Sequence, residues 1–147
     1  MILKLEQNPS QNDIEVSITY PVMDKIVKRI VAFIKAVDTQ IECSLNHGVK
    51  TIDVSDICYI ESLNKMAVIH CEKEKLKTGL RLYQLNEKLE GKGFVQISKY
   101  CILNINKLDR IKPLFNSRME AILTNGTRLY VTRKYLADIK RTLQSDE

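Results

Sequence analysis

Glycine and proline are scarce in this sequence of 147 residues, with five and three copies. Collagen-like and low-complexity architectures are thereby excluded, and 44% hydrophobic residues are enough for a folded globular core. Long apolar runs are also missing: no stretch approaches the ~20 consecutive apolar residues of a membrane span. Met1 to Lys4 do not begin a signal peptide, because no long apolar run with a small-residue cleavage site follows. A soluble, cytoplasmic chain is expected. Histidine occurs only at positions 47 and 70. His70 alternates with Ile69 and Cys71, the pattern of an exposed or satisfied strand histidine and not of a catalytic base. Cys43, Cys58, Cys71 and Cys101 form no C-x-x-C pair and have no histidine at metal spacing, so they read as buried free thiols. Neither G-x-G-x-x-G nor a Walker A pattern occurs, and Gly91-Lys92-Gly93 reads as a helix stop. The carboxylates are scattered, with no pair placed for acid–base work. No catalytic residue, metal site or small-molecule cofactor is expected.

Charge is uneven along the chain. Residues 1–60 carry six Lys/Arg against eight Asp/Glu and residues 61–97 seven against five, whereas residues 98–147 carry ten against five. The net charge of +5 therefore sits in the last third, as expected for a half that faces a polyanion or, on charge alone, for a solvated basic surface.

The length suits one domain, or a smaller domain with an N-terminal addition. Alternation predicts strands at Ile2–Glu6 and Asp13–Tyr20 around a polar loop, Gln7 to Asn12. From Val22 to Val37, Met23, Ile26, Val27, Ile30, Phe33, Ile34 and Val37 recur at helical spacing. The simplest reading packs that stripe on the two N-terminal strands; a subunit contact or membrane-surface role stays open. Short runs then follow at Ile41–Leu45, Val49–Val54, Ile57–Glu61, Ala67–Cys71 and Leu76–Thr78. Turns at Asn46-His47-Gly48, Ser55-Asp56 and Leu63-Asn64-Lys65 separate them, indicating a mostly antiparallel β unit. Leu80–Leu89 is helical by period. Leu108–Phe115, Met119–Leu123 and Arg128–Val131 read as strands, with a hairpin at Asn125-Gly126. Thr132 is placed to cap a last helix, Arg133–Leu143, whose Tyr135, Leu136, Ile139 and Leu143 face inward. Gln144 to Glu147 reads as a frayed tail.

Between Gly93 and Asn106, two apolar flanks bracket the polar crossing Ser98-Lys99-Tyr100. Such a crossing is either a contact surface on a firm scaffold or an ordinary solvated connection. Two further turns share its chemistry: Asn64-Lys65-Met66, and Thr132-Arg133-Lys134 at the last helix start. Lys and Arg suit phosphates or guanine edges, Asn and Ser suit phosphate oxygens or bases, and a helix N-terminus adds amide donors.

Four segments in this order carry a resemblance: Ser55 to Ser62, Gly93 to Asn104, Ile111-Lys112-Pro113 with Asn116-Ser117-Arg118, and Leu123 to Gly126 with Val131 to Tyr135. Together they are similar to the LytTR DNA-binding domain of bacterial transcription regulators, from about Ile41 to Leu143. The resemblance implies an α+β fold: an elongated arrangement of small antiparallel β-sheets with few helices, which inserts loops into successive major grooves of bent duplex DNA. It also implies that Asn64-Lys65-Met66, Ser98-Lys99-Tyr100 and Arg133-Lys134 are the contact elements. By matching position, Lys99 and Lys134 would read bases, and Lys65, Tyr100 and Arg133 would hold the backbone. Met66-Ala67 departs from members with a polar base-contacting residue there.

Two domains are expected: a strand-strand-helix extension over residues 1–40, serving dimerisation or regulation, and a LytTR-like DNA-binding domain over residues 41–147. The extension is far too short for a phosphoacceptor receiver domain, as in small stand-alone regulators of this family. The expected partner is double-stranded DNA; a homodimer and a regulatory protein partner, membrane-bound or not, stay open. The competing reading is a β-rich protein-interaction module whose basic face binds an acidic partner. RNA binding ranks lower, since Tyr100 is the one obvious stacking platform.

Overall fold

The computed structural model describes residues 1–45, 48–115 and 118–143. The Asn46-His47 turn, the Asn116-Ser117 part of the third motif, the side chain of Leu143 and the tail from Gln144 lie outside the described residues.

Helix α1 (Lys25–Val37) is followed by β1 (Gln40–Leu45), β2 (Gly48–Asp53), β3 (Ile57–Leu63), β4 (Met66–Cys71) and β5 (Lys75–Thr78). Then come α2 (Leu82–Lys88), β6 (Phe94–Ser98), β7 (Cys101–Asn104), β8 (Leu108–Pro113), β9 (Met119–Leu123), β10 (Arg128–Val131) and α3 (Arg133–Leu143). All strand pairs are antiparallel. A seven-stranded sheet runs β2-β1-β5-β4-β3-β7-β6, and a three-stranded sheet runs β10-β9-β8. The α+β class and the short antiparallel strands expected from the sequence are present, with most boundaries within two residues.

Period-two alternation sends the large sheet's side chains to opposite faces, and each face has its own core. Ile41, Ile52, Ile60, Ile69, Leu76 and Ile102 pack with Leu85 and Leu89 of α2. On the other side, Val95, Ile97 and Leu103 pack with Ala121, Leu123 and Val131 of the small sheet and with Ile139 of α3. The register of β3 against β4 shifts between Ile57 and Tyr59, so Cys58 and Tyr59 both join the second core while Ile57 and Ile60 join the first. Both faces of the β3-β7-β6 region are therefore buried.

Local chemistry explains the punctuation. Gly91 and Gly93 stop α2 with φ of 74° and 87°, a region costly for residues with a Cβ. The Asn125-Gly126 hairpin forms, but as a three-residue loop: Gly126 has φ 88° and donates to Leu123 O at 2.9 Å, while Leu123 N–H donates to Thr127 O at 2.8 Å. Those bonds define a type I turn closed by a left-handed glycine.

The N-terminal reading requires correction. Residues 1–24 contain no strand, and the expected strands Ile2–Glu6 and Asp13–Tyr20 lie outside both sheets. Their alternation needs a partner edge and an apolar surface, yet Ile2, Leu5 and Ile14 are 85%, 86% and 89% exposed. Of that segment, the turn is present: Gln11 N–H donates to Asn8 O at 3.0 Å. Helix α1 starts at Lys25 instead of Val22 because Asp24 caps it, its Oδ1 accepting the Val27 N–H at 2.9 Å. Nor does its large apolar stripe pack on strands. Ala36 is buried in the first core and Ala32 faces Gly93, whereas Ile26, Phe33 and Val37 remain exposed.

The four cysteines are free, with Cys43, Cys58 and Cys101 buried. Burial, followed by the nearby Glu61 carboxylate, pushes the Cys101 thiol from its ordinary 9.0 up to about 12. Burial and then Glu74 push Cys71 up to about 11. A thiol raised by folding favours the native state below its unfolded value and loses that contribution as pH rises through the folded one. Stability should therefore fall as pH rises from 9 toward 12, checked by urea unfolding at successive pH values. Cys101→Ala should flatten that decline.

Candidate nucleic-acid interface

The first of the three turns singled out in the sequence is the β3–β4 hairpin. Leu63 pairs with Met66, so Asn64 and Lys65 alone make the bend, with φ of 51° and 66°. Two successive left-handed residues define the type I′ turn that matches strand twist. Asn accepts this conformation readily; lysine does so at a cost of about 1–2 kcal/mol. The Lys65 carbonyl also accepts a hydrogen bond from Arg81 Nη1 at 3.0 Å. Arg81 precedes α2, sixteen residues away, and had no mark in the sequence. Its guanidinium props the hairpin and adds a cation at the same end of the sheet. Lys65→Gly is expected to raise stability by up to about 1 kcal/mol while weakening attachment to any polyanion. Thermal unfolding and a DNA titration read the two effects separately.

The crossing Ser98-Lys99-Tyr100 is the β6–β7 hairpin, with Ser98 paired to Cys101. Ser98 holds the bend itself: its Oγ accepts the Tyr100 N–H at 3.3 Å, and its carbonyl accepts Gln96 Nε2 at 3.0 Å. Lys99 and Tyr100 are left exposed, with Lys99 Nζ 5.5 Å from the Tyr100 ring centroid. Such a cation–π contact steers a long side chain without removing it from solvent.

At the third turn, Thr132 is in the capping position and its carbonyl accepts the Tyr135 N–H at 3.0 Å. Its hydroxyl, however, donates to Ile97 O at 3.5 Å, so the side chain ties the helix start to β6. Arg133 and Lys134 are exposed on the first turn of α3, with Lys134 Nζ 5.5 Å from the Tyr135 ring. Both lysines of the resemblance-based pair thus lie beside the tyrosine that follows them. Ile139 is fully buried and Leu136 packs on the same core, as the helical spacing required.

Backbone hydrogen bonds bring the three turns to one end of the large sheet. Ser62 N–H donates to Tyr100 O at 2.8 Å, joining the first hairpin to the crossing. Thr132 N–H donates to Ile97 O at 2.9 Å, joining the crossing to α3. Lys65, Lys99, Arg133 and Lys134 are therefore presented together from segments up to 69 residues apart. Asn64 is exposed beside Lys65, and Met66 is a half-exposed apolar residue at the start of β4. Behind this end, the carboxylate of Glu61 is held by His70, with Oε1 2.6 Å from Nε2, and the His70 ring stacks on Tyr59 with centroids 4.1 Å apart. His70 is thus the satisfied strand histidine expected. A surface cleft of about 940 Å³ lies at the opposite end, lined by Lys28, Gly93 and Arg110 among others, and none of the three turns borders it.

No helix of the described chain is long and apolar enough to cross a membrane. The family model of the LytTr DNA-binding domain matches residues 47–144. The sensory transduction protein LytT of Bacillus cereus is 26% identical over 116 residues, covering 76% of this chain but 47% of that protein. The chain thus spans about half the length of that relative. An uncharacterized HTH-type transcriptional regulator of Staphylococcus aureus is 27% identical over 145 residues, covering 97% of this chain and 98% of the other. A solved LytTr DNA-binding domain from Bacillus cereus has the same fold, with a TM-score of 0.68 at 20% identity over 72% of this chain and 97% of that one. With a family model covering two-thirds of its length, this chain belongs to the LytTr DNA-binding domain family.

Proposed function

We propose that this protein is a sequence-specific regulator of transcription that binds double-stranded DNA by inserting loops into the major groove. The observation that carries the reading is the convergence of three basic turns at one sheet end, tied by the Ser62–Tyr100 and Thr132–Ile97 hydrogen bonds. Lys99 and Lys134 contact base edges, where lysine donates to guanine O6 and N7. Lys65, Tyr100 and Arg133 hold phosphates, as does the amide-rich start of α3. Asn64, Ser98 and Thr132 shape or extend those contacts, and Met66 gives an apolar surface in the first loop. Residues 41–147 form the DNA-binding unit, and residues 1–40 are a regulatory extension acting in the cytoplasm. Supporting this reading is the excess of basic residues behind Ser98, ten Lys/Arg against five Asp/Glu.

Selection of duplexes from a randomised pool by the purified chain, near physiological salt, tests the proposal. A recurring short motif is the expected result. Retention without enrichment would reduce the activity to electrostatic attachment, and no retention would overturn the reading.

A further inference from the structure

Nineteen large apolar side chains are exposed among the described residues, and twelve of them fall within residues 1–37, a quarter of the chain. An apolar surface concentrated in this way marks an interaction site. Ile2, Leu3 and Leu5 stand on one arm of the N-terminal segment, and Ile14, Val16 and Tyr20 on the other. Beside them Met23 is exposed just ahead of α1, and α1 itself exposes Ile26, Phe33 and Val37. The reason lies in how α1 docks. Ala36 is buried in the first core, and Ala32 lies 3.8 Å from the position a Cβ on Gly93 would take. The helix turns Val27 and Ala36 inward with Ile30, Val31 and Ile34 half-buried, which leaves Ile26, Phe33 and Val37 facing away from the body.

The arms add a second, backbone requirement. Each alternates like a strand, yet neither belongs to a sheet; the Ile14 N–H donates to Asp13 Oδ1 at 2.8 Å, and the remaining arm backbone has no ladder partner among the described strands. The arms carry Glu6, Asp13 and Glu15 against Lys4, whereas α1 carries Lys25, Lys28, Arg29 and Lys35 with no acidic residue. Acidic apolar arms and a basic apolar helix are therefore two complementary surfaces on one chain. An isologous dimer satisfies both at once, because each copy supplies what the other lacks. An anionic membrane would repel the arm carboxylates, and an acidic partner protein would meet them as well as the helix.

We propose that this face is the contact between two copies of the chain, with the N-terminal arms of one copy covering the α1 apolar face of the other. The contact is remote from the basic turns: Ala32 lies against Gly93, ahead of β6, whereas Ser98-Lys99-Tyr100 follows β6. A dimer built this way leaves both basic ends open.

Sedimentation equilibrium of the full chain without DNA tests the contact separately from the DNA-binding reading. At micromolar concentration the expected mass is twice 17.0 kDa. Ile26→Asp with Phe33→Asp places two carboxylates in the contact and should weaken self-association by at least about 100-fold. Both side chains are exposed in the single chain, so circular dichroism should remain unchanged. A second test uses charge reversal in two separate variants, Glu6→Lys with Glu15→Lys on the arms, and Lys25→Glu with Arg29→Glu on the helix. Each alone sets like charges against each other and should sediment as a monomer. Mixed in equal amounts, they should regain the dimer mass, because basic arms then meet an acidic helix and acidic arms a basic one. A monomeric wild type, a dimer unmoved by the two aspartates, or a mixture that stays monomeric would each overturn the proposal. A wild-type monomer that pelleted with anionic vesicles would assign the face to a membrane surface instead.

Discussion

Replacing Lys99 or Lys134 with alanine is expected to weaken binding to the selected duplex by about 1–3 kcal/mol each, with a much smaller effect on random duplex. The asymmetry follows from where the two lysines lie. Each sits at the tip of a turn whose backbone is fixed by hydrogen bonds, next to a tyrosine ring 5.5 Å away that limits its search for a base edge. A preorganised donor discriminates between bases because the wrong base leaves it unpaired. Lys65→Ala and Arg133→Ala should behave differently, weakening binding to all sequences similarly and lowering the salt slope by about 1 each. Fluorescence anisotropy titrations of specific and random duplex over a salt series separate the two classes. Equal losses on both duplexes for all four variants would refute the division of roles.

Ile139→Ala should cost about 2–5 kcal/mol of stability, the largest loss expected from a single truncation in α3. Ile139 is fully buried among Val131, Ile97 and the rest of the second core, and it fastens α3 to β6. A smaller residue leaves a cavity that the two sheets cannot close without moving. Because Arg133 and Lys134 begin the same helix, affinity for DNA should fall together with stability, though neither residue is altered. Urea unfolding should show a lower midpoint with an unchanged slope. Lys140→Ala, exposed on the same helix, serves as the control and should stay within about 0.5 kcal/mol of wild type. Parity between the two variants would mean that α3 is held by something other than its buried face.

Much of the local structure was legible in the order of residues. Period-two runs marked the strands from Ile41 onward, and the helical period from Arg133 marked α3. The paired glycines after α2 and the Asn125-Gly126 turn marked its chain reversals. These signals are legible because they act over a few residues, through backbone sterics and the side-chain period. The three basic turns were likewise visible as residue types, and the family resemblance grouped them.

Other features had no local signature. Arg81 reaches the Lys65 carbonyl only because β4, β5 and the start of α2 fold back beside the hairpin. Thr132 stands in the capping position before α3, yet its hydroxyl meets Ile97 O, 35 residues away in sequence. At the N-terminus, alternation at Ile2–Glu6 and Asp13–Tyr20 announced strands that the single chain does not form.

By itself, then, the sequence determined which segments alternate, where the chain must turn, and where positive charge gathers. The tertiary structure alone decided that β5 lies between β1 and β4, that three distant turns share one sheet end, and that α1 turns Val27 and Ala36 inward while Ile26, Phe33 and Val37 stay outside. The physical reason is that a hydrophobic pattern states that a face must be buried, whereas strand pairing and shape decide against what.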